Sequence, residues 1–303
     1  MKRLGQWLYA PVFFFGFIGL AAWLVGIRHL PAWCLVPLAA VAVGVSFLVE
    51  SWLAYDPDWN RSHGDAARDT VHGFVNEALS ILGVWAVPAV AARMPFADHW
   101  PHEWPWILQL LLAIVVADFG ITSLHRLSHH VRFLWRLHAV HHSVQRMYGF
   151  NGLMKHPLHG AIEALAGVAP LLLIGMPVDI AAVLAFAISI QLLLQHSNVD
   201  MVPGPLRHVF AWAPLHRFHH MKYGKSGDVN FGLFFTVWDR LWGTAFDSPS
   251  HVMRSQDLGI GSRPHYPQGY VRQLLEPFGP ETQVVPSPPP PPGLLASPGA
   301  RRP

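Results

Sequence analysis

The sequence predicts an all-α integral membrane protein: a helical bundle whose cytoplasmic side carries a helical cap holding a histidine-rich site for two metals. Three observations lead there. Of 303 residues, 52% are hydrophobic and only 13% charged, against about a quarter charged in soluble domains. Several apolar runs approach the ~20 residues needed to cross a bilayer. Thirteen of the 20 histidines fall between positions 125 and 220, at spacings that repeat.

The first run, "LYAPVFFFGFIGLAAWLVGI" (8–27), follows "MKR" as a signal peptide would. It is longer than a usual signal core, no small-residue cleavage motif closes it, and another apolar run follows at once, so it reads as a retained span. Further spans are expected at 32–53, 74–92, 106–124, 160–175 and 178–195. The last two form a hairpin turned by Gly175-Met176-Pro177, and both are short enough for a re-entrant course. Trp23, Trp52, Tyr55, Trp104 and Trp106 stand near the run ends, where interfacial aromatics are expected.

With the N-terminus inside, the outer segments hold only Arg28 and Arg93 of the 21 Lys and Arg residues. The positive-inside rule then places both termini, the 125–155 segment and everything after 196 in the cytoplasm. High Ala, Pro, Trp and Arg usage suits a GC-rich bacterium, hence an inner membrane. The chain divides into N-terminal membrane helices (1–105), a histidine-bearing part (106–247, including the hairpin 160–195) and a C-terminal extension (248–303). From about 284 the run "VVPSPPPPPGLLASPGARRP" reads as disordered, partly polyproline II. Cys34 stands alone, so neither a disulfide framework nor a thiolate metal site is available. The net charge of +3 without a Lys/Arg cluster leaves no nucleic-acid footprint. Nothing in the sequence sets an oligomeric state.

In "HRLSHHVRFLWRLHAVHH" (125–142), His125 and His129 are four apart and share a helix face. His138, His141 and His142 follow with offsets 0, 3 and 4, and "HRFHH" repeats that pattern at His216, His219 and His220. Neutral imidazole suits iron, zinc, copper or nickel. Eight such residues exceed the four ligands of a closed zinc site, which favours a two-metal centre. Leaving so many buried without a metal would carry a large desolvation cost.

These motifs, "HRLSH", "HAVHHS" and "HRFHH", with "VNFG" and "VWDRLWGT" after them, resemble the sterol desaturase / fatty acid hydroxylase family of membrane di-iron enzymes. The likeness covers about 110–247 and, more loosely, the preceding spans, including "YDPDWNRSHGD". It implies two iron ions that activate dioxygen, with His125, His129, His138, His141, His142, His216, His219 and His220 as ligands. His196, in "QHSNV", matches a family histidine in a similar context. The family often shows His-Pro where this chain has "KHPLHG", so His156 and His159 join the metal candidates.

Asp118 lies within the fourth run, where an ionisable group is functional by default. It sits two turns, about 10 Å, deeper than His125, and is expected to orient a histidine from another helix. Asn230 and Gly232 are expected to shape a loop beside the last histidine motif, and Asp239 to cap or orient. His130 is read as a neighbour rather than a ligand. The activity implied is O2-dependent hydroxylation or desaturation of an unactivated C–H bond in a fatty acyl, sterol-like, alkylglycerol or carotenoid lipid taken from the membrane. No haem-binding or Fe–S pattern is present, so a separate electron donor (ferredoxin, cytochrome or reductase) is implied. The competing reading is a histidine-rich membrane metal-binding or transport protein, which would place its ligands near the midplane of several spans. Here they collect past the span ends.

Overall fold

A computed structural model describes residues 2–248, 250–280, 284–292 and 294. Among them there is no β-strand beyond three isolated bridges, and helices dominate. Five helical segments are long and apolar enough to cross a membrane. They are α1 (Lys2–Ala22), continued by a π-helical turn Trp23–Ile27, α2 (Leu35–Trp52), α3 (Ala66–Ala91), α4 (Trp106–Ser128) and α7 (Val178–Gln195). Between α4 and α7 come α5 (Arg132–His142) and α6 (Pro157–Leu173). At 17 residues, α6 rises about 25 Å and falls short of a straight crossing of ~30 Å.

Burial sorts these helices. The most apolar window of α7 is 78% buried, against 17% for α2 and 6% for α3. α7 is therefore the central post, with α1, α2, α3 and α4 packed around it, while α2 and α3 turn large side chains such as Phe47, Leu48, Phe74 and Trp85 outward. In a bilayer those side chains meet lipid.

α4 and α6 pack extensively and approach closely, and small residues permit it. A Cβ on Gly120 would run into the carbonyl of Ala166, and one on Gly167 would lie 2.8 Å from Ile121 Cγ1 and 3.0 Å from the Ala117 carbonyl. Gly120→Leu is expected to lower stability by about 1–3 kcal/mol or more, as overpacked cores do. A fall in the thermal midpoint of the detergent-purified protein would register it. Gly44→Leu, with open space around Gly44, should leave the midpoint unchanged.

α3 begins at Ala66, eight residues before the expected start at 74. Hydropathy misses its first turns because they are polar, yet they are buried under the cap. Arg68 pairs with Asp69 at 2.7 Å, Tyr148 and Asn151 each donate to Asp69 Oδ2 at 2.9 Å, and His72 bridges the Lys155 carbonyl and Gln273.

The cap sits where the starts of α1, α3 and α6 meet the ends of α2, α4 and α7. It comprises α5, α8 (Ala213–His219), α9 (Val237–Trp242), α10 (Tyr270–Leu275) and their loops. Buried Glu50 near the end of α2 fastens two of those loops, accepting from Gly149 N at 2.7 Å and Asn198 N at 3.2 Å. Arg146, buried beside Asp65 at 2.7 Å, fastens a third.

The C-terminal segment, expected to be disordered from about 284, makes contacts with the cap among the described residues. Residues 284–292 carry no helix, but Val285 N donates to the Ser262 carbonyl at 2.9 Å, and Leu294 is buried against the cluster of Trp59, Met147 and Phe218. The expectation for 295–303 lies outside the described residues.

Candidate metal centre

Each histidine motif reaches the site on a different element. His125 and His129 close α4, His138, His141 and His142 form the last two turns of α5, and His196 caps α7. His216 and His219 lie on α8, with His220 next in the chain. All but His129 are buried by whole-residue exposure, and its side chain is only 4% exposed.

These nine form two groups. One comprises His125, His129, His138, His142 and His219; the other comprises His141, His196, His216 and His220. Within each, one ring nitrogen per residue lies within 4.8 Å of all the others. Each H-x-x-H-H motif is shared between the groups. From α5, the pair four apart (His138, His142) serves the first group and His141 the second. From "HRFHH", the pair four apart (His216, His220) serves the second group and His219 the first. Residues i and i+4 share a helix face, whereas the third residue is rotated away.

The ring nitrogens converge. Nε2–Nε2 separations are 2.8 Å for His125–His219 and 3.1 Å for His138–His142. In the second group they are 3.1 Å for His141–His196 and 3.2 Å for His196–His216, His196–His220 and His216–His220. Four neutral imidazoles cannot satisfy one another at such a point, because each Nε2 is either donor or acceptor. A metal bound by nitrogen at ~2.0–2.1 Å sets tetrahedral edges of about 3.3 Å, close to these values.

The outward nitrogens fix the tautomers. Nδ1 of His125, His141, His196 and His219 donates to the carbonyls of Phe231, Met154, Leu192 and Val229 at 2.8, 2.9, 3.1 and 2.8 Å. A carbonyl only accepts, so these Nδ1 atoms carry the hydrogen and leave the Nε2 lone pair facing the group. His129 Nδ1 donates to Asp228 at 2.9 Å, and its buried Nε2 has no hydrogen-bond partner among the described residues. Burial, reinforced by neighbouring rings, holds His138, His142, His216, His219 and His220 well below the ordinary histidine pKa. Neutral imidazole is the form that binds metal. The donor set thus fits two nitrogen-ligated transition-metal ions.

The "VNFG" loop supplies two of those orienting carbonyls, and three side chains hold it. Asn230 adopts φ 52°; its amide donates to the Leu215 and Phe246 carbonyls, and its oxygen accepts from Phe246 N. Asp239, fully buried, accepts from Phe231 N and Gly232 N at 2.8 Å each. Asp118 accepts from Phe234 N and Trp238 Nε1 at 2.6 Å each, and from Thr122. Asp118 therefore does not orient a histidine directly, contrary to the sequence expectation. The carbonyls do that, and Asp118 anchors the chain just beyond them. Asn230 likewise spends its side chain on backbone and does not enter either group.

His156 falls outside both groups. Its Nδ1 accepts from Leu158 N as the cap of α6 and its Nε2 meets the Leu274 carbonyl, so both nitrogens are engaged. His159 lies at the margin. It contacts the His138 ring at 4.6 Å, meets Ser128 at 2.9 Å and faces Glu163 at 3.7 Å, while Glu163 pairs with Lys155 at 2.6 Å. His130 belongs to neither group. Sequence reasoning missed Asp228 and Glu50. Glu50 carried a signal, an acid at the end of an apolar run; Asp228 carried none.

A cleft of about 440 Å³ lies between α3, α6 and α7. Ile121, Leu192 and Leu233 contribute to its wall. Ile121 and Leu192 stand one helical turn before His125 and His196. A smaller recess of about 150 Å³ reaches His129, His142 and His219 from the cap side, between Lys222, Asp228 and Ser287.

The fatty acid hydroxylase family profile matches residues 110–244. An ornithine lipid hydroxylase of Rhizobium tropici is 32% identical over 263 residues, covering 82% of this chain and 76% of the relative. An alkylglycerol monooxygenase of Danio rerio is 28% identical over 54% of this chain and 35% of its own length. Methylsterol monooxygenase 1 of Rattus norvegicus is 29% identical over 57% of this chain and 61% of its own length. No solved structure matches. The chain therefore belongs to the fatty acid hydroxylase family, membrane oxidoreductases of the non-haem iron type.

Proposed function

We propose that this chain is a di-iron lipid hydroxylase that inserts one atom of dioxygen into a C–H bond of a polar membrane lipid. The observation that carries the reading is the convergence of nine imidazoles into two groups beside a cleft between membrane helices. Five nitrogens would hold one iron and four the other. When bound, the irons would supply the redox chemistry that activates dioxygen. The overall change balances as R–H + O2 + 2e⁻ + 2H⁺ → R–OH + H2O, with both electrons from a separate donor.

The chain's own contribution is position and exclusion. Carbonyls of Val229, Phe231, Met154 and Leu192 fix the ligand rings, Asp118 and Asp239 fix the loop bearing the first two, and the apolar cleft holds the substrate carbon near the metals while keeping water out. Hydroxylation is favoured over desaturation because the relatives are named hydroxylases and monooxygenases. The cap-side recess at His129, His142 and His219 offers an electron donor an approach to the first group. Basic residues concentrated on the histidine-bearing side support a cytoplasmic site in a bacterial inner membrane.

Lipid extracts of cells expressing the chain under 18O2 test this. A lipid heavier by one 18O atom, absent without the chain, is expected. Oxygen from water in that product, or no product while iron is bound, would overturn the reading.

A further inference from the structure

The C-terminal segment forms part of the cap-side recess. His129, His142 and His219 stand at the inner end, loops 221–228 and 259–262 line the sides, and Ser287 completes the lining. The segment lies against both loops. A Cβ on Gly261 would meet Pro288 Cδ at 2.8 Å, and one on Gly224 would meet Ser287 Cβ at 3.2 Å. Val285 N donates to the carbonyl of Ser262, itself a lining residue, at 2.9 Å.

Six prolines stand between Val285 and Leu294. Proline fixes φ and has no N–H, so the run is stiff and extended before it seats and offers the cap few hydrogen bonds. Its far end is held by buried Leu294, which joins a cluster with Trp59, Met221, Tyr223 and Leu258. Met221 also lines the recess. The segment is thus pinned at Ser262 and at the Met221 cluster, with Ser287 between the two pins. With the segment seated, the recess measures about 150 Å³, below the roughly 300–1,000 Å³ of pockets that hold drug-sized ligands.

Resting on the di-iron reading, in which this recess offers a donor its approach, we propose that residues 285–294 are a strap that restricts the recess and lifts before a bulky electron donor reaches the first group. The seated strap is the closed state. Leu294 is its catch, and losing that burial frees the stiff run as a unit.

Two measurements test this. The first needs no metal. Ser262→Cys, placed beside Val285, is labelled with a water-soluble maleimide, and Cys34 is read apart by peptide mass. Labelling is expected to be slow in the full chain and faster by about tenfold or more when Leu294→Asp is added, since burying one leucine corresponds to at least such a factor. A chain ending after Gln283 should label as fast or faster. Equal rates in the full and shortened chains overturn the strap. So does labelling of Ser262→Cys in the full chain as fast as at Ser250→Cys, an exposed position, a comparison that needs no release variant to fold. The second measurement is reduction of the oxidised, iron-loaded protein by reduced flavin mononucleotide. Leu294→Asp is expected to speed it by a similar factor at unchanged iron content, because access through a fast-opening cover tracks its open population. An unchanged rate beside faster labelling overturns the gating of electrons. Wild type without iron would sink the di-iron reading, and labelling would still decide the strap.

Discussion

His216→Ala and His219→Ala are each expected to reduce oxygenated lipid by more than about 100-fold. Residues that only orient a ligand already cost 10–100-fold in metal affinity or activity when lost, and these two present their own nitrogens to the groups. The variants differ in what they remove. His219 stands in the group of five and His216 in the group of four, so each should disturb a different iron, visible as two different changes in the Mössbauer spectrum. His156→Ala and His130→Ala are the controls. Both of His156's nitrogens are occupied by backbone, so iron content should persist there, with a modest loss of stability from the α6 cap. Equal loss of iron in all four variants would contradict the division into groups.

Asp118→Ala should have the next largest effect, through the loop. It strands the buried Phe234 N and Thr122 hydroxyl and the part-buried Trp238 Nε1. At about 1–3 kcal/mol for each buried donor left unmade, the loss approaches the whole stability margin of many proteins. It also frees the segment after the carbonyls of Val229 and Phe231, so iron retention should fall with the thermal midpoint. Asp118→Asn keeps the shape and one acceptor oxygen and should lose less of both. A variant with a lowered midpoint and full iron would show that the loop does not need this anchor.

The contrast between Asp118 and the histidines shows what a sequence carries. The repeated spacing singles out eight of the nine converging residues, and the resemblance context singles out His196, but the reading of offsets 0, 3 and 4 as one face does not hold: His141 and His219 are turned to the opposite group from their own motif's pair. The resemblance also suggested His156, but a histidine before a proline at a helix start is equally suited to capping, and local geometry decided. Asp118 was visible as an intramembrane acid, yet its partners are two donors more than a hundred residues away, which no local pattern announces. The orienting carbonyls at Val229, Phe231, Met154 and Leu192 are more hidden still, because any residue type offers a carbonyl. The early start of α3 was missed for a related reason. Hydropathy reads a polar turn as loop, whereas Asp69 and His72 are polar residues buried by a cap that arrives much later in the chain. The membrane spans themselves needed little tertiary information, but length marked 160–175 and 178–195 alike as short, and the structure separates them: α7 is a full-length, buried span and α6 is the shorter helix.

The most direct test of the account is the metal content of the wild-type protein purified without chelator under low oxygen. Elemental analysis with optical spectroscopy should find two irons per chain and no haem band. One tightly held zinc in place of iron, or a single iron with the second group of histidines empty, would contradict the two-group centre on which the rest depends.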